Sequence, residues 1–167
     1  MPSTDAVFAL LLPFVASAAD APRLRFDGGV RGCGDATVVA EGGAEFLTVG
    51  LSRSRLSLKK TPTTFRIEDA PAGLEVLLFV YAKRPSYTEH CTDLAPPADV
   101  ARTVWKARRG RVTVALSKAA PKPLECYEVD LHLEDVAFTD GSREVVLREL
   151  RLAPVRVGDL PPLGCTP

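Results

Sequence analysis

The chain has 167 residues, long enough for one domain with a self-sufficient core. Its hydrophobic fraction of 46% and charged fraction of 25% exclude a disordered polyelectrolyte. Twenty-one cations balance 21 anions, so no global field pulls the molecule towards nucleic acid or an anionic membrane. The sequence has no Asn and no Gln. An N-glycosylation acceptor is therefore missing, and so are the side-chain amides that donate and accept at once in sugar and base readout.

Residues 6–19 read AVFALLLPFVASAA, an apolar run of signal-peptide length and too short to span a bilayer. Ala16-Ser17-Ala18 has the small–x–small form of a cleavage site, although Asp5 stands where a cation is usual. The expected organisation is a signal peptide over 1–18 and a single domain over 19–167. No later stretch is long enough to anchor the mature chain in a membrane, and the expected location is secreted or periplasmic.

Four cysteines, Cys33, Cys91, Cys126 and Cys165, fit two disulfides in an oxidising compartment. No two lie within four residues of each other, so zinc-type and redox Cys-x-x-Cys spacings are missing. Four cysteines allow three connectivities. The preferred one pairs Cys33 with Cys91 and Cys126 with Cys165, fastening a long loop and a Pro-rich tail. Each closed loop contributes roughly 3–4.5 kcal/mol in the chain-entropy treatment.

After a Gly-rich opening loop, Asp27 to Asp35, the apolar period is two rather than 3.6. Strands are predicted at Thr37–Glu41, at Phe46–Ser52 continuing through Leu56 and Leu58 across a break at Arg53-Ser54, and at Thr64–Glu68. Leu74–Lys83 is apolar on both faces, which marks a central or loop-covered strand. Arg84–Ala101 is a long loop, since Pro85, Pro96 and Pro97 exclude a central strand. Thr103–Ala107 and Arg111–Ser117 read as a hairpin turning at Arg108-Arg109-Gly110. Cys126–Phe138 alternates cleanly until its phase slips at Asp135, the mark of a β-bulge. Asp140-Gly141 supplies a turn, and Glu144–Val157 gives one or two strands broken at Pro154.

The expected fold is all-β: a disulfide-stabilised antiparallel β-sandwich of about eight to nine strands in an immunoglobulin-like or C2-like layout. The Cys–Trp–Cys spacing of a true immunoglobulin domain is not met by Cys91, Trp105 and Cys126.

The long loop carries Tyr87, Glu89, His90, Cys91 and Asp93. His90, Glu89 and Asp93 are the one acid–base group available to a small secreted hydrolase. Adjacent extended residues point opposite ways, however, and a solvated loop fixed at Cys91 is the simpler expectation. No Gly-x-Ser-x-Gly elbow occurs. His132 shares a strand face with Glu128, Asp130 and Glu134, a low-affinity cation site at best. Arg102, Lys106, Arg108, Arg109 and Arg111 form an acid-free run beside Trp105. Glu125 to Glu144 holds seven carboxylates. Cross-strand pairing of the two runs is favoured over an exposed surface for a polyanion.

The order of elements, with Cys91-Thr92-Asp93 after the central strand and Tyr127 to Phe138 before an acidic turn, resembles small exported bacterial β-sandwich proteins of unassigned function. The likeness is one of layout over roughly Cys33 to Gly158. It carries over no catalytic residue. The function expected is a non-enzymatic binding or interaction module with a protein or envelope component as partner, no cofactor and no specific nucleic acid. Candidate interaction residues are Tyr87, Glu89, His90, Asp93, Arg102, Trp105, Lys106, Arg108, Arg109 and Arg111. The alternatives are a cation- or polyanion-binding domain and the hydrolase using the 84–101 loop.

Overall fold

A computed structural model describes residues 24–34, 36–86, 90–91, 100–118 and 126–158. The expected signal peptide over 1–18 lies outside them. The strands are β1 (Gly29–Cys33), β2 (Thr37–Gly42), β3 (Glu45–Leu51), β4 (Thr63–Arg66), β5 (Leu74–Tyr81), β6 (Arg102–Lys118), β7 (Cys126–Thr139) and β8 (Glu144–Gly158). A one-turn helix, α1 (Arg53–Leu56), follows β3, and a 3-10 turn, Ile67–Asp69, follows β4.

All eight strands belong to one antiparallel sheet in the order β1-β2-β3-β5-β6-β7-β8, with β4 paired to β6. The all-β antiparallel class and the strand number match the expectation. The division into two facing sheets does not appear, and neither an immunoglobulin-like nor a C2-like layout is seen among the described residues. The sheet instead curls until its ends meet, nearly closing a barrel: Gly34 bridges Gly158. A Cβ at Gly32 would run into the Arg156 carbonyl oxygen and Val157. Gly32→Val is expected to force this seam apart at about 1–3 kcal/mol, the usual cost of overpacking. The check is a lowered urea midpoint at unchanged slope.

The predicted hairpin at Arg108-Arg109-Gly110 is corrected by the structure. β6 runs unbroken through those residues, pairing with β5 over Arg102–Lys106 and with β4 over Arg111–Val114. The register against β7 steps from Ala107↔Phe138 to Arg109↔Ala137 to Arg111↔Glu134. Arg108 is thus an extra residue on β6, and one extra residue on β7 follows at Asp135–Val136. Asp135 has φ 49 and Gly110 φ 123. A side chain at Gly110 would meet Val136 Cα at 2.7 Å. Two opposed bulges bend the paired strands and then restore the register. The phase slip expected at Asp135 is therefore present.

Two further corrections concern breaks. Arg53–Leu56 is helical, ended by Ser57 at φ 50, so β3 does not continue to Leu58. Pro154 does not end β8: the register passes from Val129↔Val155 to Leu131↔Leu152, leaving one extra residue on β8 at Ala153–Pro154.

The barrel interior is filled by side chains, with Leu47, Leu78, Val112, Val114, Leu133 and Phe138 wholly buried. β5 serves two cores. Val76 and Leu78 point inward, while Phe79 and Tyr81 join Val39, Phe46, Val100 and Cys91 in a smaller cluster on the outer face. This satellite core explains a strand apolar on both sides.

Candidate functional site

The satellite core is where the long loop meets the barrel. Cys91 is bonded to Cys33 across 58 residues, with Cα atoms 5.4 Å apart. The first expected disulfide is therefore formed. Cys126 is buried and no described cysteine is free. Its expected partner, Cys165, lies outside the described residues.

Cys91 takes the left-handed conformation, φ 61, which turns the chain so that His90 faces the sheet. The His90 ring centroid stands 4.2 Å from that of Phe79 and 5.6 Å from that of Phe46. Phe46 in turn meets Tyr81 edge-on at 5.4 Å. His90 is only 7% exposed, and its Nε2 has no hydrogen-bond partner among the described residues. Burial, and secondly the positive charge of Arg31, push its pKa down to about 4 against a smaller opposing pull from Glu41. Arg31 and Glu41 are paired at 2.8 Å, and Arg84 approaches Glu41 at 3.7 Å. At neutral pH His90 is an uncharged ring in an aromatic slot, as a core side chain is. Tyr87, Glu89 and Asp93 lie outside the described residues, so the remainder of the loop constellation is not placed.

The cations of β6 separate into three groups. Trp105, expected beside them on the surface, is 7% exposed and packs in the main core opposite Leu78, with the Arg143 guanidinium 5.0 Å above its ring. Trp105 takes the inward face of the strand, opposite to that of Arg102 and Lys106. Arg109 and Arg111 are paired across strands, to Glu144 at 2.7 Å and Glu134 at 3.3 Å. Arg102 lies 5.5 Å over Phe79. Lys106 and Arg108 are exposed and make no ion pair among the described residues.

The double bulge also builds a shallow groove of about 530 Å³ that sequence patterning did not reveal. Arg66, Arg109, Arg111 and Arg148 face Glu68, Glu134 and Asp135 there. Glu68 accepts hydrogen bonds from Arg66 Nη2 at 2.7 Å and from the Gly110 N–H at 3.2 Å. Its own backbone N–H and then Arg66 hold its carboxyl below the ordinary range. The signal available in sequence was the slip at Asp135, but nothing local shows that Gly110 and Glu68 lie beside it.

On the β7 face, His132 Nε2 lies 3.1 Å from Glu149 and its Nδ1 3.9 Å from Glu134. Arg151 Nε donates to the same Glu149 oxygen at 2.9 Å, and Arg156 approaches Glu128 at 3.6 Å. Among the described residues no group of three or more His, Cys, Asp or Glu side chains could hold a metal ion.

No protein-family model, curated protein or solved structure matches this chain.

Proposed function

We propose that this protein is a non-enzymatic, exported binding or interaction module of the cell envelope or extracellular space. The observation that carries the reading is the Cys33–Cys91 fastening, which uses the loop's histidine as packing in a second core. A structural disulfide fits an oxidising compartment, and no helix among the described residues is long and apolar enough to cross a membrane. The partner is a protein or an envelope component. Affinity capture from envelope and extracellular fractions with the oxidised full chain tests this. A stoichiometric partner that exchanges with untagged protein is expected. Recovery of none under native conditions contradicts the reading.

A second reading, polyanion binding, is favoured by Arg108, a surface cation without an acid partner among the described residues. Arg108→Glu is expected to lower the salt concentration at which the protein leaves immobilised heparin. Removing one phosphate- or sulfate-contacting cation reduces the slope of log K against log salt by about one. An unchanged slope ends this reading.

A further inference from the structure

The change of partner along β6 leaves a notch in the sheet. β5 pairs with β6 from Tyr81↔Arg102 down to Leu77↔Lys106, and β4 takes up the same edge only from Arg111. Leu74–Val76 therefore run on with β3 as neighbour on one side and, among the described residues, no strand on the other. The 3-10 turn after β4 folds across the gap, ended by Ala70 in the left-handed region at φ 46. The hollow so formed measures about 170 Å³. Its lining is Ile67, Pro71, Leu74, Val76, Leu77 and Ala107, with Lys106 and Glu75 at the rim.

Three features restrict what would fit. The volume is close to that of a cavity of about 150 Å³ that accepts a benzene ring, and well below the 300–1,000 Å³ of sites for larger ligands. The occupant is thus the size of one apolar side chain. The lining is mostly apolar, which favours an aliphatic or aromatic group. The rim carries one ammonium and one carboxylate on the same outer face, since Lys106 stands opposite Leu77 and Glu75 precedes it by two. Both are exposed, and neither makes an ion pair among the described residues. An apolar monoanion would leave Glu75 as a like charge, and an apolar amine would do the same with Lys106.

We propose that this notch binds a small apolar zwitterion, a free branched-chain or aromatic α-amino acid, with its side chain in the hollow, its carboxylate towards Lys106 and its ammonium towards Glu75. The proposal goes beyond the binding-module reading and adds a small-molecule site to it. It uses a surface separate from His90 and Cys91.

The test is an amide-resolved NMR titration of the oxidised full chain with L-leucine, isovalerate and isoamylamine. Leucine is expected to shift the amides of Leu74 to Leu77 and Lys106, and to bind more tightly than either single-charge analogue. Lys106→Met and Glu75→Gln are each expected to weaken leucine about two- to fivefold, the range of an exposed charge pair. Lys106→Met should leave isoamylamine unweakened, and Glu75→Gln should leave isovalerate unweakened. Ala107→Phe, which fills the hollow, should abolish all three, and its own spectrum reports whether it folds. The proposal is overturned if leucine leaves these amides unmoved up to its solubility limit. It is also overturned if isovalerate binds as tightly as leucine, or if neither rim substitution changes leucine binding. Those failures leave the capture experiment unaffected, because a macromolecular partner is read there without leucine.

Discussion

Replacing Cys33 and Cys91 together by alanine is expected to lower the unfolding free energy by roughly 2–4 kcal/mol. The bond closes a segment of 58 residues, and chain entropy alone assigns about 4 kcal/mol to a loop of that length, with measured values commonly lower. The loss should be uneven across the molecule. The main core lies inside the barrel and takes nothing from Cys91, whereas the outer cluster of Val39, Phe46, Tyr81 and Val100 is packed against it. Hydrogen exchange should therefore rise at Phe46, Phe79 and Tyr81 while Leu78, Val114 and Leu133 stay protected. Urea unfolding of the oxidised protein and the double variant gives the magnitude, and exchange gives the distribution. Uniform loss of protection across the barrel would mean that the two cores are not separable.

The second large effect is on acid stability. His90 has a folded pKa of about 4, below its unfolded value near 6.5. Above pH 6.5 both states are neutral at this residue and its contribution is fully present. As the pH falls from 6.5 to 4, the unfolded chain takes up a proton that the folded state refuses. Stability therefore falls through that window and levels off below it. The ceiling is roughly 3 kcal/mol, from about 1.4 kcal/mol per pH unit. His90→Phe, which keeps an aromatic ring in the slot, should flatten the slope between pH 6.5 and 4 without lowering stability at pH 7 by a comparable amount. Carboxylates held low by hydrogen bonds, such as Glu68 and Glu149, lose their contribution at the lower end of the range as they protonate. The upper part of the window isolates the histidine among these groups. Chemical unfolding at a series of pH values, wild type against His90→Phe, measures the difference directly.

Much of the barrel wall was legible because its signals are local. Leu74–Tyr81 is apolar on both faces in sequence and has a core on both faces in the structure. The slip at Asp135 appears as a bulge because one extra residue reverses which side chains point inward. The misread segment, Arg108-Arg109-Gly110, has an equally physical cause. A glycine at positive φ beside polar residues serves a hairpin turn and a bulge alike, and only the partner strands decide between them. Leu56 misled for another reason, since one helical turn is too short to show its period against the alternation around it. Closure of the sheet depends on Gly32 lying against Arg156, a contact between distant segments that no local pattern contains.

The candidate site was less legible than the fold. The pairing of Cys33 with Cys91 was one of three connectivities the sequence allowed, preferred because it ties the start of the domain to a long loop. The fate of His90 did not, because alternation assigns faces only to strands, and His90 sits in a loop. Its one sequence signal was indirect: an outward apolar row on β5 that something had to cover, next to a cysteine that had to reach the sheet. Trp105 could have been placed inside by counting along β6 from Leu116 only if the bulge at Arg108 had been recognised. The notch beside Leu77 depends on β6 exchanging β5 for β4, a matter of topology.

A disulfide fastens the loop to the barrel with His90 as an uncharged plug, and this arrangement is directly testable. Its most direct test is an NMR titration of the His90 imidazole in the oxidised protein and in the Cys33→Ala/Cys91→Ala variant. The oxidised protein should show no His90 titration between pH 8 and 5 and a midpoint near 4, while the variant's midpoint should return towards about 6.5. A midpoint near 6.5 in the oxidised protein would place the ring in solvent and contradict the account.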